Sequence, residues 1–106
     1  MTDFGLTKEE IKSIQNVFTN YEDIKTVTIY GSRAKGTHKS ASDIDITLKG
    51  HDINLELQKK LEFELDDLML PYKFDVTIYD KLTNPEFVAH IDRVGKEFYK
   101  RTSANK

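Results

Sequence analysis

The chain has 106 residues, 38% apolar and 32% charged, with a net charge of −2 and no cysteine. This length predicts one domain, 1–106, with a modest core and no room for a second. A slightly acidic balance argues against general nucleic-acid binding, and the missing cysteines exclude disulfide and thiolate sites. No apolar run approaches a membrane span, and Met1-Thr2-Asp3 does not begin a signal peptide. The expectation is a soluble cytoplasmic protein without repeats or linkers, with a frayed tail from Thr102 to Lys106.

Thr7-Lys8-Glu9-Glu10 has the pattern of a capping box, and Ile11, Ile14, Phe18 and Tyr21 follow at helical spacing. A β-branched and aromatic run predicts a first strand over Lys25 to Tyr30. Gly31 lets the backbone turn sharply and approach a ligand. A short helical turn from Ser32 would aim free N–H groups at an anion, and Arg33 and Lys35 add positive charge beside it. After a polar loop a second strand is predicted over Asp43 to Leu48, ended by Gly50. Asp52 is the expected cap of a helix over Ile53 to Leu68 with a stripe of Leu57, Leu61, Leu65 and Leu68. Pro71 stops it, and Lys73 to Tyr79 alternates as a third strand. Asn84-Pro85 predicts the start of a last helix over Pro85 to Tyr99, with Phe87, Ile91, Val94 and Phe98 on one face. Phe87, Phe98 and Tyr99 exceed what a small core hides, so part of that helix is an expected interface in a homo- or hetero-oligomer.

Side chains alternate along a strand, so Asp43, Asp45 and Thr47 share one face and Ile44, Ile46 and Leu48 the other. The Asp43 and Asp45 Cα atoms should stand roughly 7 Å apart. Like charges at that spacing repel unless bridged, and Mg²⁺ or Mn²⁺ is the natural bridge for carboxylate oxygens. Asp is disfavoured in strands, so two at alternate positions mark more than a solvated face. Asp75 and Thr77 point away from the apolar Phe74, Val76 and Ile78. If this strand lies beside the second, three carboxylates converge, enough for a two-metal site. The small-residue turn Gly31-Ser32 alone would be an ordinary strand ending; with the acids downstream it reads as a phosphate site. Ser42 reads as a loop residue ordering the strand start. His38, His51 and His90 lack metal-ligand spacing, although His38 lies in the site loop and is a weaker candidate for a phosphate or substrate contact.

Gly31-Ser32, ten residues, then Asp43-Ile44-Asp45 resembles the signature of the polymerase-β-like nucleotidyltransferases. Spacing and size are nearest the minimal nucleotidyltransferases, the antitoxin-like partners of HEPN-domain proteins. Pro71-Tyr72-Lys73-Phe74-Asp75-Val76 resembles the strand carrying their third acid. Lys35 departs from the Arg of many relatives, keeping charge but losing the bidentate fork. The resemblance implies an α/β (α+β) fold: a small mixed sheet, its first pair antiparallel, with helices packed on one face and the acids on the other. It implies Asp43, Asp45 and Asp75 as catalytic and metal-binding residues. It also implies that Gly31, Ser32, Arg33 and Lys35 hold the nucleotide, ATP. The implied reaction moves AMP to a tyrosine of a HEPN-domain toxin and silences it; the charge balance and the lack of a long apolar run argue against direct nucleic-acid or membrane contact. Two rivals remain. One is a non-catalytic nucleotide- or metal-binding module that neutralises its partner by covering it. The other is a small-molecule adenylyltransferase, which requires a deep pocket rather than an open face.

Overall fold

Period-two alternation builds a sheet whose two faces differ in chemistry. The computed structural model describes residues 3–102. Its elements in chain order are α1 (Lys8–Phe18), β1 (Ile24–Tyr30), α2 (Gly31–Lys35), β2 (Ile44–Gly50), α3 (Leu55–Asp66), β3 (Phe74–Ile78), α4 (Pro85–Val94) and β4 (Lys96–Lys100). The strand order is β3-β2-β1-β4. β1 runs antiparallel to β2 and to β4, and β3 lies parallel to β2 across the crossover helix α3. This is the mixed sheet, with an antiparallel first pair, that the sequence resemblance implied.

One face is dry. Val27, Ile29, Ile44, Ile46, Leu48, Val76 and Ile78 pack there against Ile14, Val17 and Phe18 of α1 and Leu61 and Leu65 of α3. Each such side chain contributes roughly 1.5–3 kcal/mol on burial. The capping box forms as expected: Glu10 N–H donates to Thr7 Oγ1 at 3.1 Å, and Thr7 N–H to Glu10 Oε1 at 2.9 Å. Both sheet edges are guarded. Gln15 Nε2 donates to Phe98 O on β4 and Gln58 Nε2 to Val76 O on β3, each at 2.8 Å, taking up edge carbonyls that would invite another strand.

Three expectations change. Asn54, not Asp52, caps α3: its side chain accepts from Leu57 N–H at 2.9 Å, while Asp52 sits in the left-handed region at φ 54°. The last helix ends at Val94: Gly95 closes it with an N–H donated to Ile91 O at 2.8 Å and turns extended (ψ 147°), at a place where a Cβ would collide with Thr28 Cγ2. Lys96–Lys100 then forms β4 beside β1. Phe98 therefore points into the core, 5.9 Å from the Phe4 ring and 6.3 Å from that of Phe18, and Tyr99 packs on Phe18 at 5.4 Å. The aromatic surplus expected at an interface is largely absorbed; among the described residues the exposed large apolar ones are Leu55, Phe63 and Met69. Finally, α1 and α3 cover the core face, but α4 lies on the other one, with Phe87 and His90 against the Tyr30 ring. Most of the tail expected to fray, residues 103–106, lies outside the described residues. Among the described residues no helix is long and apolar enough to cross a membrane.

Candidate active site

The antiparallel β1–β2 pair brings the end of β1 to the start of β2, and the parallel β2–β3 pair brings the start of β3 there too. Tyr30 pairs with Asp45, and Asp45 with Asp75, so these residues form one row across three strands. Partners in such a row point to the same face, with strands about 4.8 Å apart. Asp43, two positions before Asp45, joins that face by alternation. The structure thus brings all three predicted acids to one patch. Asp43 and Asp75 are exposed and Asp45 is half-buried.

Gly31 ties the turn to the acids. Its φ of 76° is a left-handed conformation that costs an L side chain about 1–2 kcal/mol. The Asp45 carboxylate also lies directly against it, where any Cβ would meet Asp45 Oδ2. Glycine is therefore required twice, and the Gly-Ser turn and the acid row form one continuous site. Ser32 is half-buried, and its carbonyl closes α2 by accepting from Thr37 N–H at 3.0 Å, beside Gly36 at φ 81°. Lys35 is exposed at the end of α2.

Arg33 is placed differently from its predicted role. It is only 2% exposed. Its guanidinium donates to Phe4 O at 2.7 Å, to Ser42 O at 2.9 and 3.1 Å and to Ser40 O at 3.3 Å, and stacks 4.8 Å from the Tyr72 ring centroid. Those bonds pin the loop directly ahead of Asp43. Ser42 helps, as expected, by accepting from Lys39 N–H at 2.8 Å. His38 packs over Gly5 beside Arg33, with Nδ1 buried and unpartnered. His51 is exposed, whereas His90 is half-buried with its ring 6.4 Å from that of Tyr30. Nothing in the sequence signalled that Arg33 turns inward; the signal lies in the pairing of its loop with the Phe4 turn.

The acids are electrostatically unsettled. Burial pushes the Asp45 carboxyl up to about 6, Asp75 and Asp43 push it the same way, and Arg33 opposes them. A half-buried carboxylate facing two others, with Arg33 set against them, suits a divalent cation with oxygen ligands. Among the described residues no three acidic or histidine side chains close into a metal cage by themselves. Mg²⁺ in phosphate chemistry uses one or two carboxylates, with phosphate oxygens and water completing its shell, so this row fits such an ion.

The sequence reading missed Tyr30. It is 4% exposed, and its hydroxyl is buried without a hydrogen-bond partner. Its place beside Asp45 depends on strand register, which the sequence does not fix.

The family model of the polymerase beta nucleotidyltransferases matches residues 12–104. No curated protein matches the chain by sequence. Among solved structures, the chain is similar to a toxin–antitoxin complex with AMP-PNP, with TM-score 0.71 and 18% identity over 90% of this chain and 76% of that one. It is similar to the toxin–antitoxin MntA–HepT, with TM-score 0.66 and 14% identity over 90% and 74% of the two chains. It is also similar to a tri-AMPylated Shewanella oneidensis HEPN toxin in complex with MNT antitoxin, with TM-score 0.66 and 14% identity over 92% and 76%. At these identities the likeness is one of fold.

Proposed function

The chain belongs to the polymerase beta nucleotidyltransferase family, and on that premise we propose that it transfers AMP from ATP to a tyrosine hydroxyl of a HEPN-domain toxin, as an antitoxin. The observation that carries the reading is the row of Asp45 and Asp75, with Asp43 beside it, lying directly against the Gly31 turn. Phosphate-binding backbone and metal-binding carboxylates are what this chemistry needs, because it is mostly positioning and charge neutralisation.

Asp43, Asp45 and Asp75 would hold Mg²⁺ or Mn²⁺, which when bound neutralises phosphate charge and favours departure of pyrophosphate. Gly31 and Ser32 give the triphosphate a close backbone approach, and Lys35 offers a mobile charge at its rim. Arg33 acts from behind by fixing the loop that presents Asp43. Asp75, exposed at the end of the row, accepts the proton of the incoming hydroxyl. The acceptor oxygen bonds to the α-phosphorus as the bond to the α–β bridging oxygen breaks, and pyrophosphate leaves.

The exposure of Asp43 and Asp75 favours an acceptor that brings its own surface over one enclosed in a small-molecule pocket. A neighbour of the same fold in complex with a tri-AMPylated HEPN toxin supports a protein acceptor. In this reading the protein works in the cytoplasm, bound to its toxin and ATP, without nucleic acid. The test is the intact mass of the cognate HEPN-domain protein co-expressed with the wild-type chain or with Asp43→Asn/Asp45→Asn. A gain of one or more AMP units with wild type alone is expected. A stable complex without mass gain would move the protein to the class of binding modules that neutralise by covering.

A further inference from the structure

Tyr30 stands in the acid row. It is the Cα partner of Asp45, which is in turn the partner of Asp75. Its ring is held edge-on by two α4 side chains, Phe87 at 5.6 Å and His90 at 6.4 Å. α4 thus packs on the acid face, against this ring. Held so, the phenol lies near the Thr77 hydroxyl on β3, and as a phenol it is a hydrogen-bond donor at neutral pH. Yet its hydroxyl has no partner. An orphaned buried hydroxyl is costly, and a folded protein retains one where a ligand or water completes it.

We propose that Tyr30 is a positioning residue, whose buried hydroxyl donates a hydrogen bond into the oxygen shell of the cation held by Asp45 and Asp75. The partner that the hydroxyl lacks arrives with the cation. The donated bond then fixes the orientation of the oxygens around the ion, the role that outer-shell donors play at metal centres. This inference rests on the metal reading of the acid row given above.

The test uses the full chain with Mn²⁺ and α,β-methylene-ATP, which resists cleavage at the α–β bridge. Mn²⁺ affinity is measured by electron paramagnetic resonance for wild type, Tyr30→Phe and Asp45→Asn, and melting temperature is measured without ligand. Tyr30→Phe keeps the ring between Phe87 and His90 and removes only the orphan hydroxyl. Its unliganded melting temperature should equal or exceed that of wild type, while its Mn²⁺ affinity falls about 10–100-fold. Wild-type affinity in Tyr30→Phe, with binding lost in Asp45→Asn, would overturn the role of Tyr30 and leave the metal site standing. A fall in both affinity and unliganded melting temperature would assign Tyr30 to packing and also overturn the proposal. If wild type itself fails to bind Mn²⁺, the metal reading fails first and this inference with it.

Discussion

The two faces of the sheet are made from the same strands and behave oppositely. On the core face, Ile44, Ile46 and Leu48 alternate with residues of the other face and are fully buried among apolar neighbours. On the acid face, Asp45 lies among like charges and Tyr30 carries an unpartnered hydroxyl. One face holds the fold together. The other carries charge that the fold itself does not need, and in the function proposed above this is the trade expected of active sites, stability given up where a ligand binds.

Breaking each face separately sharpens the contrast. Asp43→Asn removes an exposed carboxylate from the acid face. It should lower AMP transfer on the order of 10²–10³-fold, read by α-labelled ATP, while circular dichroism and the urea midpoint stay unchanged. Unchanged transfer would remove Asp43 from the metal site. Ile46→Ala, on the opposite face of the same strand, should cost about 2–5 kcal/mol in urea unfolding. The molecules that remain folded should transfer AMP at the wild-type rate. Gly31→Ala joins both kinds of damage, with about 1–2 kcal/mol of backbone strain and displacement of the Asp45 carboxylate. It should weaken both the urea midpoint and Mn²⁺ binding; loss of stability with intact binding would show that the turn and the acid are independent.

The smallest effect concerns pH. Asp45 titrates near 6 when folded, above the ordinary carboxylate value near 4 when unfolded. Its stabilising contribution is therefore full below about pH 4 and is lost as pH rises through 6. Without ligand, wild type should melt at a lower temperature at pH 7.5 than at pH 5, and Asp45→Asn should flatten that slope. Equal slopes in the two proteins would remove Asp45 as the cause.

Most of the acid face was legible because period-two alternation sorts side chains before any pairing is known. Asp43, Asp45 and Asp75 needed only that rule and adjacent strands. The stretch Pro85 to Tyr99 was misread because Phe87, Ile91, Val94 and Phe98 fall at helical spacing across the break at Gly95. Gly95 turns extended (ψ 147°) against Thr28 of β1, a tertiary contact, and the helix ends there. Arg33 and Tyr30 were obscured for a related reason. The burial of Arg33 depends on the Phe4 and Ser42 carbonyls, and the position of Tyr30 depends on register with Asp45. Local pattern shows which face a residue takes, but not what meets it there.

The most direct test of the trade between the faces is the melting temperature of wild type and Asp45→Asn at pH 7.5, with and without Mg²⁺ plus α,β-methylene-ATP. Without ligand, Asp45→Asn should melt higher than wild type, because an uncompensated half-buried charge has been removed. With ligand at about 100 times its Kd, wild type should gain about 2.7 kcal/mol, roughly 10 °C or more for a domain of this size, and overtake the variant. Equal gains in the two proteins, or none in wild type, would contradict the claim that this face is built to hold a cation and a nucleotide.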